Sequence, residues 1–505
     1  MTDTDVVDSA MTCDGLQAEF FANRSLAILA NRGPVSFQRA EDGSLIYQRG
    51  GGGLVTALTG LCRYTDATWI SCAQTEEDSA WERGRFSLDE DTQIDIRFLS
   101  PGVSAYDGYY NVISNPLLWF LQHSMWDVPR MPIINQETWK AWDEGYVVVN
   151  KLFADAVVDL VRETGHPPLV MIQDYHLYLA SRYIRQALPK RQRPTLLHFI
   201  HIPWPGPEYW RILPPGMRHT LLEGLCAVDV LGFQTRQDSL NFMRTCEFLL
   251  PRAFVNFRRG RVWYRNHATY VRDFPISIDV PDLKQLAASA EVADHREEIE
   301  ASVGERQLIL RIDRIEPSKN ITRGFLAFED LLERYPEHRG TVQFQAILVP
   351  SRLEVEEYQD YLDEVMAAVG RINAVYGDSE WEPVRLLVGE DYARAVAAMQ
   401  LYDVLLVNPI ADGMNLVAKE GPLVNQRSGV LILSERAGAY EQLQIGAISI
   451  SPCDVYATAE AMHQALLMPL QEREAKIDLL RWIVESEDIE AWMCKQLQAV
   501  TELNL

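Results

Sequence analysis

The chain lacks the features of a membrane protein and of a nucleic-acid-binding protein. No run reaches the roughly 18 consecutive apolar residues that a membrane-spanning helix needs. The N-terminus carries Asp3, Asp5 and Asp8 without the basic and apolar segments of a signal peptide. Basic residues are few, since 47 Lys and Arg stand against 71 Asp and Glu and give a net charge of −24. We therefore expect neither nucleic acid nor a membrane as partner, and any phosphate site must be a local basic pocket.

Cysteine is sparse as well. The seven cysteines, among them Cys62, Cys226 and Cys453, form neither CxxC pairs nor a spacing typical of metal ligands. An odd and scattered set of this kind is typical of reduced thiols in a cytosolic protein. We therefore predict a cytoplasmic protein without a metal site.

The sequence does contain the pattern of an α/β protein. A chain of 505 residues with 47% hydrophobic content is too long for one core and suits two large domains. Short β-branched runs alternate with amphipathic helical stretches, which is typical of parallel sheets covered on both faces. The predicted strands are residues 26–30, 169–172, 196–200, 228–233, 308–312, 344–349, 404–408, 430–434 and 447–451.

These strands form two groups, which predicts one doubly wound sheet in each half of the chain. Between the groups, residues 274–281 form an extended stretch with Pro275 near its start and Pro281 at its end. The domain junction is therefore predicted near residue 280. The cleft between the two halves is the expected active site.

A strand, turn and helix around Asp412 indicate a site for a phosphorylated sugar. The apolar run 404–407 would deliver the turn Asp412-Gly413 to the carboxyl edge of a parallel sheet. Backbone N–H groups of residues 414–416, at the start of a helix, can face a diphosphate, and Asp412 and Glu420 can accept hydrogen bonds from sugar hydroxyls. The alternative is that Asp412 only caps the helix and Glu420 is solvated.

A second loop, after residues 308–312, carries two cations before a predicted helix. Arg314 and Lys319 would stand near the N-terminus of that helix, where their charge adds to the helix dipole and favours a diphosphate. An ion-paired surface loop, in which Asp313 and Glu316 balance the two cations, explains the same residues equally well.

Further polar residues follow two successive predicted strands. Gln173-Asp174-Tyr175-His176 follows the first and His201-Ile202-Pro203 the second, so they converge on one rim of the sheet. A histidine in such a place is more often structural. The glycines at 50–53, close after Asn31-Arg32, suggest a second anion pocket, whereas Tyr110 and Trp119 are by default core aromatics.

Many of these motifs occur in the order found in trehalose-6-phosphate synthases, and the resemblance covers nearly the whole chain. The motifs are Asn31-Arg32 with the glycine loop, Tyr110 nine residues before Trp119, Asp174-Tyr175-His176, His201-Ile202-Pro203, Gly232-Phe233-Gln234-Thr235, Arg314 with Lys319, Pro350-Ser351-Arg352, residues 412–420 and residues 429–434. The resemblance implies the GT-B fold: an acceptor-binding Rossmann-like domain (1–280), a nucleotide-sugar-binding one (281–484) and a last helix (485–505) that crosses back. The crossing suits residues 489–497, where Trp492 and Cys494 would dock on the first domain.

The resemblance also implies the roles of individual residues. Asp174, His201, Arg314 and Lys319 would be catalytic. The acceptor phosphate and sugar would be bound by Arg32, Trp69, Tyr110, Trp119, Asp174 and Arg352. The donor would be bound by Gly52, Arg314, Lys319, Glu390, Asp391, Asp412, Gly413, Met414, Asn415, Leu416, Val417 and Glu420. The family's retaining, front-face mechanism needs no metal or cofactor, because Arg and Lys neutralise the leaving diphosphate.

The resemblance therefore implies transfer of glucose from a nucleoside diphosphate glucose to glucose 6-phosphate, with retention. Gln173, Glu316-Pro317, Asn320 and Ala411 depart from the common pattern, and Pro317-Ser318-Lys319-Asn320 resembles an actinobacterial branch. Two alternatives stay open: a related enzyme with glycerol 3-phosphate or a cyclitol phosphate as acceptor, and a non-catalytic sugar-phosphate sensor. The partners expected are these small molecules, and a homo-oligomer is compatible with the sequence.

Residues Gly389-Glu390-Asp391 are predicted to lie on the loop that faces the base of the donor nucleotide. Guanine offers two adjacent N–H donors that one carboxylate can accept together, whereas uracil offers one. A carboxylate facing the base would thus favour GDP-glucose over UDP-glucose. The alternative is that Glu390 and Asp391 only cap the helix that begins near Ala393.

Overall fold

The structure is a computed structural model that describes residues 13–22, 24–40, 42–50, 53–88, 92–352 and 356–503. Gly52, predicted to approach the donor phosphate, lies outside the described residues. In the described ranges no helix is long and apolar enough to cross a membrane.

Ten strands of the first half form one sheet. They are β1 (Leu26–Leu29), β4 (Ala67–Cys72), β5 (Arg83–Ser87), β6 (Gln93–Leu99), β7 (Leu169–Gln173), β8 (Thr195–Phe199), β9 (Val230–Phe233), β10 (Phe254–Asn256), β11 (Arg261–Tyr264) and β12 (His267–Asp273), while β2 (Val35–Arg39) and β3 (Leu45–Arg49) form a separate hairpin. The order is β10-β11-β12-β9-β8-β7-β1-β4-β6-β5. The seven strands from β12 to β6 run parallel, and β5, β10 and β11 are antiparallel additions at the edges.

Six strands of the second half form an all-parallel sheet. They are β13 (Gln307–Arg314), β14 (Val342–Val349), β15 (Val384–Val388), β16 (Val404–Val407), β17 (Val430–Ser434) and β18 (Ile448–Ile450). The strand order is β15-β14-β13-β16-β17-β18. From β13 the chain first adds strands on one side and then, from β16 on, adds them on the other side, as in a Rossmann fold. The parallel part of the first sheet reverses in the same way between β1 and β7.

Helices cover both faces of the sheets. They are α1 (Cys13–Phe21), α2 (Gly53–Leu61), α3 (Glu76–Trp81), α4 (Val103–Asp107), α5 (Trp119–Gln122), α6 (Gln136–Lys140), α7 (Val147–Thr164), α8 (Ala180–Ala187), α9 (Pro215–Leu225), α10 (Arg236–Leu249), α11 (Val280–Ala287), α12 (Ala290–Val303), α13 (Ile321–Arg334), α14 (Glu356–Tyr376), α15 (Tyr392–Leu401), α16 (Val417–Val424), α17 (Tyr440–Leu443), α18 (Val455–Leu467), α19 (Leu470–Ser486) and α20 (Ile489–Glu502). Two π-helical segments, Gly108–Leu118 and Ala141–Tyr146, precede α5 and α7.

The predicted fold class is confirmed, and each of the nine predicted strands corresponds to an observed one within about two residues. The central strands are recognisable because they are buried along their whole length: every residue of β1, β7, β16 and β17 is buried. The prediction omitted the parallel strands β4, β6, β12 and β15 and the antiparallel strands β2, β3, β5, β10 and β11.

The last helix, α20, packs on the first sheet. Trp492 is 1% exposed, its indole Nε1 donates to the carbonyl of Phe274 at 3.1 Å, and its ring meets Phe199 edge to face at 5.2 Å. The helix therefore links the end of the chain to the segment that joins the two sheets.

A disulfide bond joins Cys13 on α1 to Cys494 on α20. The expectation that all seven cysteines are reduced thiols is thus wrong for this pair. The two residues are 481 positions apart in sequence and approach only because α1 packs against α20, so their spacing carried no signal. Cys62, Cys72, Cys226, Cys246 and Cys453 are free thiols.

Trp492 and Trp482 offer a matched test of this packing. Trp492→Ala should remove a buried ring and its hydrogen bond and destabilise the protein by about 3–5 kcal/mol. Trp482→Ala on α19, where the ring is 65% exposed, should cost far less. Thermal melts of the two variants check this expectation. Equal shifts in the melting temperature would contradict the docking of α20.

Candidate active site

A cavity of about 610 Å³ lies where the two sheets face each other. In the first half, its walls are the segments that follow β1, β7 and β8, together with side chains from other elements, namely Val55, Trp69, Tyr110, Trp119 and His123. In the second half, they are the segments that follow β13, β14, β15 and β16. All of these segments lie at the carboxyl ends of parallel strands, and the cavity includes both points at which strand order reverses, where ligands of open α/β sheets bind.

Two arginines of the cavity share one carboxylate. Oε1 of Glu316 lies 3.1 Å from Nη1 of Arg314 and 3.6 Å from Nη1 of Arg352. Burial would raise the pKa of Glu316, but the two arginines and Lys319 outweigh it and lower the pKa to about 2. Arg314 is nevertheless 54% exposed, so its guanidinium is accessible from the cleft.

Lys319 is paired with Asp412 across the switch point of the second sheet. Nζ of Lys319 donates to Oδ2 of Asp412, and Lys319 is 9% exposed. Burial alone would lower the pKa of Lys319, but Asp412 and Asp313 raise it, so the amine stays charged. The cation after β13 and the carboxylate after β16 are therefore held as one unit.

Arg352 is held by aromatic groups of both halves. Its guanidinium lies 5.2 Å from the ring centroid of Trp119 and donates to the hydroxyl of Tyr358. Trp119, which is 2% exposed, stacks on His123 at 4.0 Å. Burial lowers the pKa of His123 to about 4, so this support is neutral.

Arg32, Trp69 and Tyr110 lie on the first-half wall. Arg32 is exposed, and its carbonyl accepts a hydrogen bond from the indole of Trp69 at 3.2 Å. Trp69 is 0% exposed and thus supports the Arg32 backbone from behind. Tyr110 stacks on His176 at 5.9 Å. Burial and nearby arginines, Arg352 first, lower the pKa of His176 to about 3.

Asp174 and His201 form a second polar group. The N–H of His201 donates to Oδ1 of Asp174 at 3.2 Å, and Nε2 of His201 lies 3.0 Å from Oε1 of Gln173. Burial raises the pKa of Asp174 to about 7 and lowers that of His201 to about 3. At neutral pH the imidazole of His201 is therefore uncharged.

Gly413 brings the two halves into contact. A Cβ atom added there would lie 1.8 Å from the carbonyl oxygen of His201, so only glycine fits. The loop continues through Met414, Asn415 and Leu416 into α16, which begins at Val417. Within the described ranges, the N–H groups of residues 414–416 donate to no protein acceptor, so they stay free to bind an anion.

Glu420, Glu390 and Asp391 differ in what they face. Glu420 accepts a hydrogen bond from the hydroxyl of Tyr392 at 3.1 Å, and burial raises its pKa to about 7. Glu390 lines the cavity, but Asp391 does not: its carboxylate caps α15 and contacts the side chain of Arg394. For Asp391 the structure thus favours the capping alternative.

The structure brings most predicted site residues to one cavity. Those that line it are Arg32, Trp69, Tyr110, Trp119, Asp174, His201, Arg314, Lys319, Arg352, Glu390, Asp412 and Gly413. Sequence reasoning did not assign a place in the site to His123 or Ser351, and it treated Glu316 only as a balancing charge. For Glu316, the one signal in the sequence was its position two residues after Arg314, which brings a carboxylate close to a predicted site cation.

Known proteins resemble this chain over nearly its whole length. The family Glycosyltransferase family 20 matches residues 24–502. The UDP-forming alpha,alpha-trehalose-phosphate synthase of Schizosaccharomyces pombe is 33% identical over 491 residues, which cover 96% of this chain and 92% of the relative. Trehalose-6-phosphate synthase of Salmonella choleraesuis is 34% identical over 465 residues, with coverage of 90% and 92%.

The chain belongs to glycosyltransferase family 20. A solved E. coli structure bound with UDP-2-fluoro glucose superposes with a TM-score of 0.82 and 29% identity, covering 95% of this chain and 98% of that one. A Burkholderia xenovorans alpha,alpha-trehalose-phosphate synthase in complex with glucose-6-phosphate superposes with a TM-score of 0.79 and is 26% identical. The match covers 94% of this chain and 100% of that one. The predicted resemblance and the prediction of a glycosyltransferase are confirmed.

The raised pKa of Glu420 predicts a pH-dependent cost to stability. A carboxyl with a folded pKa of about 7 and an unfolded pKa near ~4.3 costs no stability below the unfolded value, and the cost grows as pH rises to about 7. Glu420→Gln should therefore stabilise the protein more at pH 8 than at pH 5. Melting temperatures at both pH values test this. Glu474→Gln on the exposed side of α19 is the control, and a gain that is equal at both pH values would contradict the shift.

Proposed function

We propose that the protein transfers glucose from a nucleoside diphosphate glucose to glucose 6-phosphate with retention and forms α,α-trehalose 6-phosphate. The single observation that carries the proposal is the cavity that joins the Arg314, Lys319 and Asp412 cluster to the Arg32 and Arg352 wall. One cluster suits a diphosphate and the other a sugar phosphate. The trehalose-phosphate synthase relatives support the same assignment.

On the donor side, Arg314 and Lys319 would neutralise the leaving diphosphate. The free N–H groups of Met414 to Leu416 would add hydrogen bonds to its oxygens. Asp412, Glu420 and His201 would hold the transferred glucose. When the diphosphate takes up the charge of Lys319, Asp412 is released to accept a sugar hydroxyl.

On the acceptor side, Arg32 and Arg352 would bind the 6-phosphate, with Tyr110 and Trp119 shaping the sugar pocket. In the transfer step, the bond between the glucose C1 and the diphosphate oxygen breaks and the acceptor hydroxyl oxygen bonds to C1 on the same face. The acceptor proton passes to the departing oxygen. Asp174 would bind a hydroxyl near C1, and the positioned cations supply the stabilisation.

The donor nucleotide and the need for a cofactor are part of the proposal. The two relatives named above include a UDP-forming synthase, and Glu390 remains as the carboxylate on the cavity wall that would favour a guanine base. No group of metal ligands is found among the described residues. We propose a metal-independent reaction, with either UDP-glucose or GDP-glucose as donor.

We also propose that the acceptor domain ends near residue 280, that residues 281–484 bind the nucleotide sugar, and that the protein acts in the cytoplasm. The separation of the two sheets supports the division, since β12 ends at Asp273 and β13 begins at Gln307. A cytoplasmic location suits the five free thiols, although a reducing compartment would open the Cys13–Cys494 bond.

The deciding experiment measures nucleotide release from UDP-, GDP- and ADP-glucose, with and without glucose 6-phosphate. Release that depends on glucose 6-phosphate supports the proposal. Release that depends on glycerol 3-phosphate or a cyclitol phosphate instead would favour the related enzyme, and binding without release would favour the sensor. Selective loss of GDP-glucose use in Glu390→Gln would assign the base contact.

Removal of a donor-side cation should slow the chemical step. Arg314→Ala should lose a charge-assisted bond that strengthens as the diphosphate departs, at a cost of about 3 kcal/mol or ~10² in kcat. Lys319→Ala should behave similarly. Arg371→Ala removes an ion-paired arginine outside the cleft and should leave kcat unchanged. Near-normal turnover of Arg314→Ala at saturating donor would refute the assignment.

Removal of an acceptor-side cation should act on the acceptor alone. Arg32→Ala should raise the KM for glucose 6-phosphate far more than the KM for the donor, because the guanidinium would contact only the 6-phosphate. Arg352→Ala should show the same split, and Arg39→Ala on β2 is the control. Free glucose should be a poor acceptor for the wild type. Equal rates with glucose and glucose 6-phosphate would contradict this pocket.

A further inference from the structure

Glu316 is a buried carboxylate between the two arginines that face the two phosphates. Its side chain is 1% exposed. Oε1 lies 3.1 Å from Nη1 of Arg314 and 3.6 Å from Nη1 of Arg352, and it accepts a hydrogen bond from Oγ of Ser351 at 3.0 Å. One oxygen atom thus accepts a hydrogen bond from Ser351 and forms ion pairs with two arginines, and all three partners lie at the ends of two neighbouring strands.

We infer that Glu316 is a positioning residue that fixes the distance between the donor diphosphate and the acceptor phosphate by holding Arg314 and Arg352 on one carboxylate oxygen. The inference rests on the proposed function, which places the diphosphate on Arg314 and the 6-phosphate on Arg352. Glu316, whose side chain is 1% exposed, would act through these two arginines.

The backbone around Glu316 is built to hold such a role. The N–H of Ile315 donates to the carbonyl of Val349 at 2.8 Å, and the N–H of Lys319 donates to the carbonyl of Glu316 at 2.9 Å. The ends of β13 and β14 are therefore hydrogen-bonded to each other, and this fixes the backbone position of Glu316. Pro317 follows at once and restricts the backbone further.

The shared carboxylate has opposite effects on binding and on catalysis. Two guanidinium groups this close repel each other, and the carboxylate removes that repulsion. Its negative charge also weakens the attraction of the site for phosphates. In return, both arginines are held in place before the substrates arrive. Transfer needs the acceptor oxygen within about 3–3.5 Å of C1, and a misplacement of ~1 Å costs about 10² in rate.

Glu316→Gln separates these two effects. Without the charge, glucose 6-phosphate and UDP should each bind about 3- to 10-fold more tightly, because the site becomes more positive. At the same time kcat should fall by about 10-fold or more, because the arginines are no longer fixed. Glu329→Gln is the matched control, since it removes a carboxylate paired with Arg371 outside the cleft and should change neither quantity.

Glu316→Asp keeps the charge but is one methylene shorter, so it cannot reach both arginines. It should lower kcat while the two binding constants stay within about twofold of the wild type. A purely structural role predicts no such split, since loss of packing would weaken binding and turnover together. Glu316→Asp also serves as the test if Glu316→Gln does not fold.

Binding is measured by calorimetry with UDP and with glucose 6-phosphate, which requires no turnover. If the wild type transfers no glucose but Glu316→Gln binds both ligands more tightly, the proposed function fails and the placement of Glu316 between two anion sites stands. The inference is overturned if Glu316→Gln weakens or does not change the binding of both ligands. It is also overturned if the wild type is active and either variant keeps kcat within about twofold of it.

Discussion

Four cations, Arg32, Arg314, Lys319 and Arg352, line one cavity of about 610 Å³ in a protein of net charge −24. Cations at such spacing repel one another unless anions lie between them. Carboxylates lie between the cations: the partly buried Asp412 pairs with Lys319, and the buried Glu316 is shared by Arg314 and Arg352. In the proposed reaction the diphosphate takes over Lys319 from Asp412, whereas Glu316 keeps Arg314 and Arg352 in place for the two phosphates.

The fold brings the cations and carboxylates of the cavity together through the positions of the loops that carry them. Each loop of the cavity follows a parallel strand, and both sheets reverse strand order at the cavity, between β1 and β7 and between β13 and β16. The two halves meet where Gly413 lies against the carbonyl of His201. The buried and neutral His123 stacks on Trp119, which contacts Arg352, and it adds no charge that competes for the substrate phosphates.

Much of the fold was readable from sequence because local patterns specify it. The runs at 404–407 and 430–433 are apolar throughout and lie in predicted strands that prove to be central in the second sheet. Contacts between residues far apart in sequence were not readable. The Cys13–Cys494 bond and the sharing of Glu316 by Arg314 and Arg352 depend on which elements become neighbours, and residue type and spacing do not carry that information.

The most direct test of the account is a crystal structure with a nucleoside diphosphate and glucose 6-phosphate bound together. The account predicts that the diphosphate oxygens lie within hydrogen-bond distance of Arg314, Lys319 and the N–H groups of Met414 to Leu416, and that the 6-phosphate lies on Arg32 and Arg352. Binding of the sugar phosphate away from both Arg32 and Arg352, or of the diphosphate away from Arg314 and Lys319, would contradict it.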